Sequence, residues 1–196
     1  MEHNAYVEQL LARNCSPVLA GIKPANLVSA DRKKLPQDME QILMQYEQDF
    51  SARGICFRVL CRCDRRVLIL VYSESQLQQA QQQPEVASFL QKCGYDLHTP
   101  LQERVRQLGD KIRQSGEFPH EIGLFLGYPL EDVEGFIRHK GQNFLYSGCW
   151  KVYHDVERKQ QMFARYIQCR DAVCHQLQMG RSISRLFCSR CSARAM

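Results

Sequence analysis

Ile55-Cys56-Phe57-Arg58-Val59-Leu60-Cys61-Arg62-Cys63-Asp64-Arg65-Arg66-Val67-Leu68-Ile69-Leu70-Val71-Tyr72 is the stretch that decides the architecture. Its first half alternates. Ile55, Phe57, Val59, Cys61 and Cys63 fall on one face of an extended chain and Arg58 and Arg62 on the other, because successive strand side chains point to opposite sides. Asp64-Arg65-Arg66 reads as a polar turn. Residues 67–72 are an unbroken apolar run, the pattern of a strand covered on both faces. Two strands joined by so short a turn make an antiparallel hairpin, with the second strand the more central. This run is also the longest apolar stretch in the chain, far below the twenty or so residues that a membrane helix needs.

Outward from the hairpin the period changes from two to 3.6. On the N-terminal side Met39, Ile42, Leu43, Tyr46 and Phe50 recur at helical spacing after Pro36, and Gly54 supplies a stop. A first helix carries Tyr6, Val7, Leu10 and Leu11 on one face and is expected to end near Asn14-Cys15-Ser16-Pro17. Residues 19–27 read as extended or looped. On the C-terminal side a glutamine-rich segment, 75–83, reads as a solvated helix. Pro84 opens another, with Val86, Phe89, Leu90 and Cys93 inward. Thr99-Pro100 precedes a stripe of Leu101, Val105, Leu108 and Ile112. Residues 118–137 give two short helices broken at Gly127-Tyr128-Pro129. A loop over 141–147 and a short strand at 149–153 around Trp150 follow. A long helix capped by Asp155 then carries Met162, Tyr166, Cys169, Val173 and Leu177. The sum is an α+β single domain over 1–186. It is mostly helical around a small, mainly antiparallel sheet made of hairpin 55–72 plus the strand near 149–153, and it carries a helix-turn-helix-like corner at 119–137. Residues 187–196 form a basic, cysteine-containing tail.

Composition narrows the class. The 196 residues are 44% hydrophobic, 24% charged and 9% aromatic, which excludes a disordered chain, a collagen and a membrane bundle. The opening stretch holds Glu2 and no long apolar run, so no secretory signal is expected. Ten cysteines, several inside apolar patterns, then point to buried thiols in a reducing cytoplasm. The net charge is +5, but residues 181–196 hold four arginines and no acid. Taking those four from the 26 basic residues leaves 22 against 21 acidic ones in 1–180. A nearly neutral body gives no expectation of a nucleic-acid partner.

The corner at 119–137 sharpens that point. Gly123 allows close approach of its two helices and Gly127 the turn, with Ile122, Leu126, Val133, Phe136 and Ile137 as shared core. A DNA reader here would present Leu130, Glu131, Asp132 and Glu134, and carboxylates are repelled by phosphates. A DNA-binding regulator is therefore the second alternative. Cys188-Ser189-Arg190-Cys191 is a Cys-x-x-Cys without the following helix that a redox motif needs or a second zinc half-site. Cys15, Cys149 and Cys169 are the candidate thiols for a metal- or thiol-dependent enzyme, the first alternative. No Ser-His-Asp set, P-loop or Rossmann fingerprint occurs, so no residue pattern selects an enzyme and none names a cofactor.

Three stretches carry a resemblance. They are Cys15-Ser16-Pro17-Val18-Leu19-Ala20-Gly21-Ile22-Lys23-Pro24-Ala25-Asn26-Leu27, Phe118-Pro119-His120-Glu121-Ile122-Gly123 continuing through Gly135-Phe136-Ile137, and Gly148-Cys149-Trp150-Lys151-Val152-Tyr153. With Phe163, Tyr166, Cys169 and Gly180-Arg181-Ser182 behind them, the order resembles a bacterial family of unknown function, number 3793, over nearly the whole chain to about Leu186. The resemblance implies a soluble protein of anaerobic bacteria, with a flavodoxin-type redox protein as a partner. It implies no activity. Lys23, Asn26, His120, Glu121, Trp150 and Tyr153 lie in loops or at element ends, where binding residues concentrate. They are expected to line one cleft for a small anionic or aromatic ligand, in a non-enzymatic accessory or binding protein that is redox-linked.

Overall fold

The computed structural model describes residues 2–115 and 118–188. Helix α1 (Glu2–Leu19) leads to strand β1 (Ala25–Asp31), a short 3-10 turn over Arg32–Lys34, and helix α2 (Met39–Asp49). Strands β2 (Ile55–Arg62) and β3 (Arg66–Ser73) follow. Five helices come next: α3 (Glu74–Gln81), α4 (Pro84–Lys92), α5 (Leu101–Ser115), α6 (Ile122–Phe125) and α7 (Leu130–Arg138). A ribbon of β4 (Tyr146–Ser147) and β5 (Lys151–Val152), the long α8 (Val156–Gln178) and α9 (Ile183–Phe187) complete the chain. The fold is α+β.

The main sheet has the order β1-β3-β2, antiparallel throughout. Its central strand explains the apolar run. Val67, Ile69 and Val71 face one core with Val28 and Phe57, roofed by α1, α2, α8 and α9. Leu68, Leu70 and Tyr72 face a second core with Leu77, Leu90, Leu108 and Phe125 under α3 to α6. A strand sandwiched between two helical layers has no face for polar residues, and each side chain so buried contributes about 1.5–3 kcal/mol.

The third strand is β1, in a region the sequence left as extended or looped. Only three of its seven positions, Ala25, Val28 and Ala30, are buried, so its own residues signal a strand weakly; its pairing with β3, Asn26 opposite Val71 and Asp31 opposite Arg66, makes it one. The strand near 149–153 is β5, which pairs with β4 in a separate two-stranded ribbon.

Several local expectations are corrected. Helix α1 does not stop at Pro17 but includes it and ends at Leu19. The turn beyond closes tightly, with the N–H groups of Ile22 and Lys23 both donating to the Pro17 carbonyl at 2.9 and 3.2 Å. A β-bulge between Val59 and Cys61 shifts the register of β2. Leu60 and Cys61 therefore both pack on the second core, and Cys61 does not share a face with Phe57. The Leu60 carbonyl at the bulge accepts from the Arg113 guanidinium of α5. Helix α5 crosses so closely there that a Cβ on Gly109 would lie 2.9 Å from that oxygen. Asp155 precedes α8 with a left-handed φ of 49° and makes no side-chain cap. Helix α9 crosses the expected tail boundary: the Phe187 ring packs on Phe50 at 6.3 Å between centroids. Cys188 is half-buried, and the rest of the tail, Cys191 included, lies outside the described residues. Among the described residues, no helix is long and apolar enough to cross a membrane.

Candidate functional site

Three segments meet at the helical corner because their glycines leave no room for anything larger. Gly127 takes the turn between α6 and α7 at φ +73°, and a Cβ there would sit 2.2 Å from the Pro24 ring. This contact fastens the loop before β1 to the corner. Gly135 of α7 lies under Tyr153, and Gly148 of the ribbon lies under Phe163 of α8, where a Cβ would come within 2.5 and 2.3 Å.

Asp132 secures the ribbon. It is 2% exposed. Its Oδ2 accepts from Trp150 Nε1 at 2.8 Å, and its Oδ1 accepts from the backbone N–H groups of Tyr153 at 2.8 Å and His154 at 3.3 Å. The buried Lys159 ammonium lies 4.0 Å from Oδ2 and 3.1 Å from Glu131. A buried carboxylate is tolerated because donors and a countercharge surround it. Asp132 and Glu131 thus face α8 and the ribbon and do not form the forward surface of a reader helix. Trp150 is held between Tyr128, stacked at 4.5 Å, and Phe163, edge-on at 4.5 Å, over a small third core with Val152 and Tyr166.

Between corner and ribbon lies a cavity of about 420 Å³. Phe118, Pro119 and His120 form one wall, Ile122, Gly123 and Tyr128 the corner, Asp132, Val133 and Phe136 the α7 side, and Cys149, Trp150 and Lys151 the ribbon. The lining is aromatic and apolar with few polar heads. The His120 ring lies 5.5 Å from that of Phe136. Lys151 Nζ donates to the Gly141 carbonyl at 2.6 Å and lies 5.0 Å from the Phe144 ring and 5.7 Å from Phe136. Cys149 presents an exposed thiol, pushed up by partial burial against the opposing pull of Lys23.

Of the six expected ligand-binding residues, the structure brings two, His120 and Trp150, to this cavity. Lys23 lies behind its wall, 5% exposed, with Nζ 5.5 Å from the Tyr128 ring and 5.7 Å from Tyr166. It makes no ion pair among the described residues. Burial pulls its pKa down to about 8, against the opposing influence of Cys149 and Cys15. Glu121 turns away and pairs with Lys111 at 2.7 Å, with the Tyr95 hydroxyl 3.4 Å off. Tyr153 packs on Gly135 and stacks with His139 at 5.6 Å. Asn26 sits in β1 with its Oδ1 buried and without a hydrogen-bond partner among the described residues. The three candidate thiols also separate. Cys15 is buried in the first core with its pKa pushed up to about 12, and Cys169 packs against that core. Cys149 stands in the cavity wall. Among the described residues no group of three His, Cys, Asp or Glu side chains is placed to hold a metal ion, so these thiols form no ligand set.

Asp132, Phe136 and Lys151 also line the cavity; of these, only Lys151 is a signature position of the stretches that carry the family resemblance, and none is among the expected ligand-binding residues. A signal was present for two of them: Asp132 and Phe136 are four apart on α7 and so share a face.

Residues 11–187 match the model of a protein family described as "Protein of unknown function (DUF3793)". No curated protein and no solved structure matches the chain. The match spans most of the sequence, and the chain belongs to this family.

Proposed function

We propose that this member of the family is a small-ligand-binding protein and that the cavity between the helical corner and the ribbon takes a planar aromatic anion. The observation that carries this reading is the hollow of about 420 Å³, walled by Phe118, Tyr128, Phe136 and Trp150, with Lys151 and His120 as polar heads. Its volume matches one small molecule, and a mostly apolar lining with a few placed polar groups is the usual make-up of such sites. The rings give a flat ligand stacking and edge contacts. The Lys151 ammonium offers a charge-assisted hydrogen bond to a carboxylate, sulfonate or phosphate. Binding is favoured over catalysis because no hydrogen bond among the described residues links the Cys149 thiol to His120, the pairing that an activated nucleophile requires.

The test uses the fact that Trp150 is the only tryptophan in the chain. Energy transfer from Trp150 to bound anilinonaphthalene sulfonate, a planar aromatic anion, reports binding, and cavity variants locate it. One saturable site per chain is expected. Lys151→Met should weaken it about tenfold or more, the worth of one charge-assisted hydrogen bond, and leave the neutral phenylnaphthylamine bound as before. Competition by flavin mononucleotide, a flat ring system bearing a phosphate, would support the redox-linked form of the proposal. Absence of saturable transfer, or transfer indifferent to both Lys151→Met and Phe136→Ala, overturns it.

A further inference from the structure

The balance of 22 basic against 21 acidic residues in 1–180 hides a segregation that only the fold makes visible. Strand register sets Asp31, the last residue of β1, opposite Arg66, the first of β3. The 3-10 turn Arg32–Lys34 therefore lies beside the β2–β3 turn: Arg32 N–H donates to the Arg65 carbonyl at 2.9 Å, and the Arg32 guanidinium reaches the Cys63 carbonyl at 3.4 Å. Two segments thirty residues apart thus place Arg32, Lys33, Lys34, Arg65 and Arg66 at one end of the sheet, all exposed. Among the described residues none of these five is in an ion pair, whereas neighbouring Arg62 is paired with Glu40. Like charges gathered without neutralisation repel one another, and the field they sum to draws in a partner of opposite sign.

We propose that this end of the sheet docks an acidic segment of a protein partner. Two features select a protein over a nucleic acid. Asp31 and Asp64 are interleaved with the cations, and carboxylates repel phosphates while they can pair with basic residues of a protein. Neither turn contains an aromatic residue, so there is no platform on which a base could stack. The surface is independent of the cavity, which lies at the helical corner.

Two exposed thiols supply the test. Cys63 sits at the centre of the cationic end, its Sγ accepting the Arg66 N–H at 3.3 Å, and Cys149 sits in the cavity wall. The full chain is alkylated near physiological salt with and without poly-L-glutamate, and each thiol is followed by peptide mass spectrometry. Poly-L-glutamate should slow modification of Cys63 severalfold and leave Cys149 unchanged. The combined variant Lys33→Glu, Lys34→Glu, Arg65→Glu, whose side chains make no hydrogen bond among the described residues, should bind the polymer about tenfold or more weakly. Arg138→Glu, Arg158→Glu, Arg165→Glu should bind it as the parent does. Equal weakening by the second set, or an unprotected Cys63, overturns the proposal. So does duplex DNA of matched charge if it binds more tightly and protects Cys63, which would make this a nucleic-acid surface.

Discussion

Lys23 is an ammonium held among tyrosine rings with almost no access to water. Its pKa lies at about 8, against an ordinary 10.5, because burial disfavours the charged form. Between those values the unfolded chain keeps a proton that the folded chain has released, so this residue's contribution to stability rises with pH across that window. It is least favourable near neutrality. Lys23→Met should therefore stabilise the protein at neutral pH by up to ~3 kcal/mol at 1.36 kcal/mol per pH unit. The gain should shrink as the pH is raised through 8 and 9, and urea denaturation of both proteins along that range would show it; a gain independent of pH would refute the assignment. Asp132 makes the opposite case. Asp132→Asn keeps the shape but turns an amide N–H toward either Trp150 Nε1 or the Tyr153 N–H and weakens the hold on Lys159. A loss of about 3 kcal/mol is expected, the scale for breaking a buried charge pair, with a red shift of Trp150 emission as the ring gains water. At this scale the sequence was informative about residue type and not about direction. Of the residues expected to share one cleft, His120 and Trp150 do line a common cavity. Glu121, one position beyond His120 in the turn before α6, points elsewhere, held by its ion pair with Lys111.

The elements show why the site exists at all. The ribbon of Tyr146–Ser147 and Lys151–Val152 is too short to stand alone, and it is held by Asp132 and by the fit of Gly148 under Phe163. Gly148→Ala would force a Cβ to within 2.3 Å of that ring. The strain should lift the ribbon at a cost of about 1–3 kcal/mol. Because the ribbon rests on a third core separate from the two beside the sheet, binding of anilinonaphthalene sulfonate should fall severalfold while most of the cooperative melting transition survives. Melting and energy-transfer titration of the same variant measure both effects. Elements with strong periodicity were legible from sequence: the hairpin, the stripe of α5, the two halves of the corner. Strand β1 was not, since its identity comes from β3 alongside it, and neither was the run of α1 through Pro17, where the surrounding core outweighs one missing donor.

For the molecule as a whole, the sheet stands between the two helical layers, and its central strand β3 has Ile69, Leu70 and Val71 fully buried. The amides of this strand should be the last to exchange with deuterium, and those of 146–152 should exchange well before them, because the ribbon draws on the smallest core. Ribbon amides as long-lived as those of β3 would show that the third core is continuous with the others. The layered arrangement was only half legible. The apolar run at 67–72 announced a strand covered twice, yet nothing in the chain's order says which helices cover which side.

The bulge in β2 has a bearing on how copies of this protein treat one another. A sheet of order β1-β3-β2 ends in two strands whose outer rows of N–H and C=O groups are a ready template for a further strand, the first step toward an aggregate. In β2 that row is broken at Val59 to Cys61, the Leu60 carbonyl is claimed by Arg113, and Arg58 and Arg62 bring charge along the same strand. The irregularity that spoils the alternation read from the sequence is thus a guard on the rim: it keeps a hydrophobic hairpin, necessarily exposed while the chain folds, from recruiting its neighbours.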